Sequence, residues 1–110
     1  KYWDWTPFIM IILGAGNLGQ ALANYGDFEK RGFRLVGIFD VNPVLERISV
    51  RGIEIQMVSS LPEFIRENQV EIAILTLPKN KAKEMAKVLI DNGIKQSGIL
   101  PIQILTPRRM

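Results

Sequence analysis

Phe8-Ile9-Met10-Ile11-Ile12-Leu13 runs without a break into Gly14-Ala15-Gly16-Asn17-Leu18-Gly19 and on into Gln20-Ala21-Leu22-Ala23. A short apolar run, a G-x-G-x-x-G turn and a helical pattern, in that order, form the strand–loop–helix opening of a dinucleotide-binding βαβ unit. Each glycine has a separate mechanical task. Gly14 allows the tight turn off the strand, Gly16 lets backbone approach a pyrophosphate, and Gly19 lets the helix pack closely on the sheet. The N–H groups of Asn17 and Leu18, at the start of the helix, point toward the same anion together with the positive end of the helix dipole. A second apolar run, Arg34 to Phe39, ends at Asp40, 21 residues past Gly19. An acid at about that distance is where a carboxylate accepts hydrogen bonds from an adenosine ribose.

Working outward, the chain alternates strand and helix patterns. Phe8–Leu13 is apolar on both faces, as a central parallel strand is. The first helix is expected from Asn17 to about Tyr25, with Leu18, Leu22 and Tyr25 on one face. Pro43 suits the first position of a short helix reaching about Ile48. A third strand follows at Ile53–Val58, and Ser60 is placed to cap a helix that begins at Pro62. Val70–Leu77 reads as a fourth strand stopped by Pro78. Lys79–Asn92 is amphipathic, with Ala82, Met85, Ala86 and Leu89 inward and Gly93 at the C-terminal cap. A fifth strand lies within Gly98–Leu105, interrupted by Pro101. The fold class is therefore α/β: a Rossmann-like, doubly wound parallel sheet of order 3-2-1-4-5 with helices on both faces. Residues 1–7 read as a lead-in and 8–110 as a single domain.

Composition bounds the function. The chain has 110 residues, 47% hydrophobic and 23% charged, an ordinary soluble globular balance. It contains neither histidine nor cysteine, which removes the commonest general base, thiolate nucleophiles, disulfides and zinc–thiolate sites. The net charge of +3 is spread along the chain, whereas a nucleic-acid surface needs a concentrated stripe. No apolar stretch approaches a membrane span and no signal peptide is visible, so the expected location is cytoplasmic.

The candidate cofactor-binding residues are Gly14, Ala15, Gly16, Asn17, Leu18 and Gly19, then Asp40 and Val41, then Thr76, Leu77 and Pro78. The last three close the fourth strand on the same carboxyl edge as the glycine turn, where open α/β sheets bind ligands. A strand end with a proline stop is the alternative there, and a turn-forming acid is the alternative at Asp40. A carboxylate at position 40, with no arginine directly after it, disfavours a 2′-phosphate and selects NAD over NADP. No catalytic residue and no metal ligand is assigned. Tyr2 and Tyr25 are the only tyrosines and neither has a lysine four residues on, so no hydride transfer is expected.

Gly14-Ala15-Gly16-Asn17-Leu18-Gly19-Gln20-Ala21-Leu22-Ala23-Asn24-Tyr25, with Gly37-Ile38-Phe39-Asp40-Val41-Asn42-Pro43 and Glu71 to Pro78, resembles the core of the Rex family of bacterial redox-sensing transcriptional repressors. The likeness covers about residues 8 to 98. It implies NADH/NAD⁺ as the cofactor, homodimerisation of the full-length protein, and repression relieved when NADH binds. Operator DNA would be met only through a winged helix, which this sequence does not contain. Nor does it contain the C-terminal helix that the family swaps between subunits. The family usually continues after Gly98-Ile99-Leu100 with Asn-Phe-Ala/Thr-Pro beside the nicotinamide, whereas here Leu100 runs into Pro101-Ile102. Two other readings stand beside this one: the nucleotide-binding subdomain of a dehydrogenase or sugar-modifying enzyme, and a CoA-binding module.

Overall fold

Strand β1 (Phe8–Leu13) holds the middle of the sheet, because its last four side chains have an apolar layer to enter on each face. Met10 and Ile12 go to one cluster, Ile11 and Leu13 to the other. The computed structural model describes residues 6–102. The first five residues of the expected lead-in 1–7, and the end of the expected domain 8–110, lie outside that range.

Around β1 the described residues form one six-stranded sheet of order β3-β4-β2-β1-β5-β6. Its members are β2 (Phe33–Asp40), β3 (Ser49–Val50), β4 (Ile53–Met57), β5 (Ile72–Leu75) and β6 (Ile99–Pro101). All pairings are parallel except β3 with β4. The expected order 3-2-1-4-5 is thus the parallel part, β4-β2-β1-β5-β6, with one short antiparallel strand added at its edge.

Helix α1 (Asn17–Ala23) covers one face, and α2 (Leu61–Asn68) and α3 (Lys79–Asp91) the other. Handedness explains this split. The chain leaves β1 in one direction for β2 and later steps the opposite way from β5 to β6, so right-handed crossovers deposit their helices on opposite faces. That reversal beside β1 creates a crevice at the carboxyl edge of the sheet.

A register shift between Met10 and Ile11 leaves Val36 of β2 without a partner on β1. A Cβ on the next residue, Gly37, would lie 2.9 Å from Phe64 Cζ. Phe64 instead stacks edge-on to Phe39, with ring centroids 5.0 Å apart. The glycine makes room for an aromatic pair that locks α2 onto β2.

Several local expectations are corrected. α1 stops at Ala23 with Gly19 and Ala23 as its buried residues; of the expected row, Leu22 packs half-buried against the same cluster, while Tyr25 lies beyond the helix. The buried residues are small because the helix lies almost on the glycine turn. Tyr25 is 42% exposed, lies edge-on to Phe28, and its hydroxyl accepts a bond from Arg31 Nε at 3.0 Å. Pro43 starts only one 3₁₀ turn, Pro43–Leu45, capped by Asn42 Oδ1. The chain then leaves it for β3, which was not anticipated. The α2 helix starts at Leu61, and Ser60 does not cap it: its hydroxyl donates back to the carbonyl of Met57 at 2.8 Å. The expected strand Val70–Leu77 is regular only from Ile72 to Leu75. Of the expected fifth strand, β6 is regular from Ile99 to Pro101, which is its last residue and sits on an edge where no donor is needed, and 103–105 lie outside the described residues. Gly93 takes the left-handed conformation after α3 (φ +100°), as expected. Among the described residues no helix is long and apolar enough to cross a membrane.

Candidate functional site

The site is built from one turn and the ends of the two strands that flank β1. Where β1 stops, Gly14 adopts φ +109°, a conformation that side-chain-bearing residues rarely take. A Cβ there would overlap Thr76 Oγ1, and one on Gly19 would overlap the carbonyl of Gly14. Both glycines are therefore demanded by the fold. Gly16 is different: it has an ordinary φ of −76°, and among the described residues nothing lies within 4 Å of where its Cβ would be.

The turn is fixed peptide by peptide. Leu13 O accepts from Thr76 N at 2.9 Å, and Gly14 N donates to Phe39 O at 2.7 Å. Gly14 O accepts from Thr76 Oγ1 at 2.9 Å. Ala15 N donates to Asp40 Oδ2 at 2.6 Å, and Asn42 N donates to Asp40 Oδ1 at 2.8 Å. Asp40 is the buried charged residue among those described, at 8% exposure. A carboxylate so enclosed needs charge-assisted partners, and two backbone N–H groups supply them. Two of its roughly four acceptor positions are thereby taken, leaving capacity for further donors. Ala15 itself is fully buried, with its N–H committed to Asp40 and its carbonyl to Gln20 Nε2.

Between the turn and the end of β5 opens a cleft of about 500 Å³. Of the residues expected from sequence, Gly16, Asn17, Leu18, Gly19, Thr76, Leu77 and Pro78 line it together. Asp40, Ala15 and Gly14 stand behind it as the support of the turn. Val41 does not line it; it follows Asp40 at the sheet edge and is 44% exposed. Lys79 and Ile102 complete the lining and were not expected there. Ile102 arrives because its N–H continues the β6 ladder onto Leu75 O at 2.8 Å, a pairing between distant residues that no local pattern announces.

The chemistry on offer is anion binding beside an acceptor. The N–H groups of Gly16, Asn17 and Leu18 have no protein partner among the described residues and border the cleft. These residues fit a pyrophosphate at Gly16 and a hydroxyl-bearing sugar toward Asp40. Among the described residues no group of three or more His, Cys, Asp or Glu could hold a metal. A carboxyl held below its ordinary range, Glu29, owes this to a hydrogen bond and ion pair with Arg34 at 2.9 Å, both on the surface outside the cleft.

Residues 8–102 match the sequence model of the CoA binding domain. The chain belongs to the CoA-binding domain family. Within it, the domain is similar to the Redox-sensing transcriptional repressor Rex of Caldicellulosiruptor saccharolyticus, at 52% identity over 80% of this chain and 40% of that protein. Rex of Clostridium perfringens strain SM101 is 44% identical over 89% of this chain and 47% of its own length. The domain thus spans under half the length of these curated relatives. Among solved structures it superimposes on RSP, a Rex-family repressor, in complex with β-NADH. The TM-score is 0.80 at 38% identity, covering 91% of this chain and 54% of that one. The same protein has been solved with β-NAD⁺ and operator DNA, with a TM-score of 0.80. UDP-D-quinovosamine 4-dehydrogenase from Vibrio fischeri, at 22% identity and a TM-score of 0.73, shares the fold. The likeness to the Rossmann core of Rex repressors, read first from the glycine turn and the Phe-Asp-Val-Asn-Pro segment, is borne out.

Proposed function

We propose that this domain is the NAD(H)-binding sensor core of a Rex-like redox-sensing repressor, acting in the cytoplasm and performing no catalysis of its own. Gly16 carries the reading. Beyond glycine's modest preference at a helix N-cap, the fold does not demand it at that position, because φ is ordinary and no described residue lies in the space beyond. A ligand that brings phosphate against the backbone does demand it. Gly16, Asn17 and Leu18 then hold the pyrophosphate. Asp40 and Val41 take the adenosine side, and Thr76, Leu77 and Pro78 the nicotinamide side. Bound, the nicotinamide supplies only its redox state as the signal. The chain's own residues bind and orient it, with no histidine to move a substrate proton. In this reading the homodimer and the operator-reading winged helix belong to the full-length repressor, and occupancy by NADH releases DNA.

Coenzyme A is the competing ligand, because the family as a whole carries its name. Asp40 argues against it: the adenosine ribose of coenzyme A bears a phosphate, which a buried carboxylate repels. Thermal melts of the 110-residue chain with NADH, NAD⁺, NADPH and coenzyme A discriminate. NADH or NAD⁺ at a hundredfold excess over Kd should stabilise by about 2.7 kcal/mol, and NADPH and coenzyme A by much less. Stabilisation by coenzyme A alone would reverse the assignment.

A further inference from the structure

The hydrogen bonds of the glycine turn single out a residue that the ligand reading passes over. A peptide group is planar and trans, so fixing its carbonyl also fixes the direction of the N–H across from it. In the Leu13–Gly14 and Gly14–Ala15 peptides both ends are held: the carbonyls by Thr76, the N–H groups by Phe39 O and Asp40 Oδ2. The Ala15–Gly16 peptide is held at one end only. Its carbonyl accepts from Gln20 Nε2 at 2.7 Å, while the N–H of Gly16, which lines the cleft, has no partner among the described residues.

Gln20 is suited to this task by chemistry and position. Only its amide NH₂ can donate to a carbonyl, so the contact fixes the orientation of the side-chain amide. The residue sits in α1, and its own backbone N–H bonds Gly16 O at 2.9 Å. One residue therefore grips the peptides on both sides of Gly16. Asp40 and Thr76 hold the base of the turn, and Gln20 holds its tip.

We infer that Gln20 is a positioning residue for phosphate recognition: it touches no ligand but sets the direction in which the Gly16 N–H meets the pyrophosphate. This rests on the NAD(H) reading and adds to it a residue outside the expected ligand set. Losing one net hydrogen bond of this kind corresponds to a loss of affinity of roughly five- to tenfold.

The experiment compares the wild-type chain with Gln20→Met, which keeps length and helix propensity but cannot donate, and Gln20→Glu, whose carboxylate repels the Ala15 carbonyl. Titration calorimetry with NADH, and ligand-observed NMR with adenosine, separate phosphate recognition from general damage. The expected result is a five- to tenfold loss for NADH with Gln20→Met, a larger loss with Gln20→Glu, and unchanged binding of adenosine. A loss equal for NADH and adenosine, or none for NADH, overturns the role. The ¹⁵N–¹H signal of Gly16 in the unliganded protein is a separate readout. It should move in Gln20→Met, and a fixed signal counts against the proposal whatever the cofactor. Failure of wild type to bind NADH would instead remove the NAD(H) reading, with the Gly16 signal still deciding what Gln20 does.

Discussion

The glycine turn is gripped from two sides, and the two grips are of opposite kind. From β2 comes a buried carboxylate, Asp40, which accepts from Ala15 N and Asn42 N. From β5 comes a hydroxyl, Thr76, which donates to Gly14 O with a second, longer approach to Leu13 O at 3.2 Å. Carboxylate and hydroxyl meet the same peptide, Gly14–Ala15, one at its N–H and the other at its carbonyl. The β2 side is closed and charge-assisted, whereas the β5 side is neutral and opens onto the cleft. The side toward Asp40 is thus tied by two backbone N–H bonds to one buried carboxylate. The side toward Thr76, Leu77, Pro78 and Ile102 borders the open cleft.

This contrast can be broken from the stronger side first. Asp40→Ala leaves the buried Ala15 N–H without an acceptor and removes a charge-assisted bond to Asn42. Urea unfolding should show a loss of about 3 kcal/mol. A loss below about 1 kcal/mol would mean that water takes over the carboxylate's bonds and that the β2 side is not closed. Thr76→Val preserves shape and deletes only the hydroxyl. Leu13 O keeps its bond from the backbone N–H of Thr76, so the same assay should register about 1 kcal/mol. The smallest effect is the coupling between the two. Because both side chains fix one peptide, the double variant should deviate from additivity by about 0.5 kcal/mol or more. Strict additivity would show that the turn is held by two independent contacts.

Much of this was legible in the sequence, and what was not has a physical cause. The glycine turn, its strand and helix, and Asp40 announce themselves because each is a local pattern: an apolar run, a spacing, an acid at a strand end. The parallel order was readable for a related reason, since alternating strands and helices with right-handed crossovers leave few arrangements. The two-residue β3 carries too little pattern to be seen, and Pro43 signalled a turn whose length depends on that strand. Tyr25 falls on the expected helix face by spacing, but α1 ends before reaching it. The role of Asp40 as support for the turn depends on a bond across 25 residues, and that of Thr76 on one across 62. Neither can be read locally. Gln20 carries no local signal, because its partner Ala15 lies five residues back, across the start of the helix, outside the usual i, i+4 side-chain pairing.

Gly16 offers the most direct test of the central claim, since the fold and the ligand make separable demands there. In Gly16→Val the backbone conformation is accessible to valine and the side chain has space. Stability should therefore stay within about 1 kcal/mol of wild type, the scale of a change at a helix N-cap. Calorimetric titration of NADH into wild type and Gly16→Val should give binding in the first and none in the second. A folded Gly16→Val that binds NADH as wild type does would contradict the account and leave the turn a structural element alone.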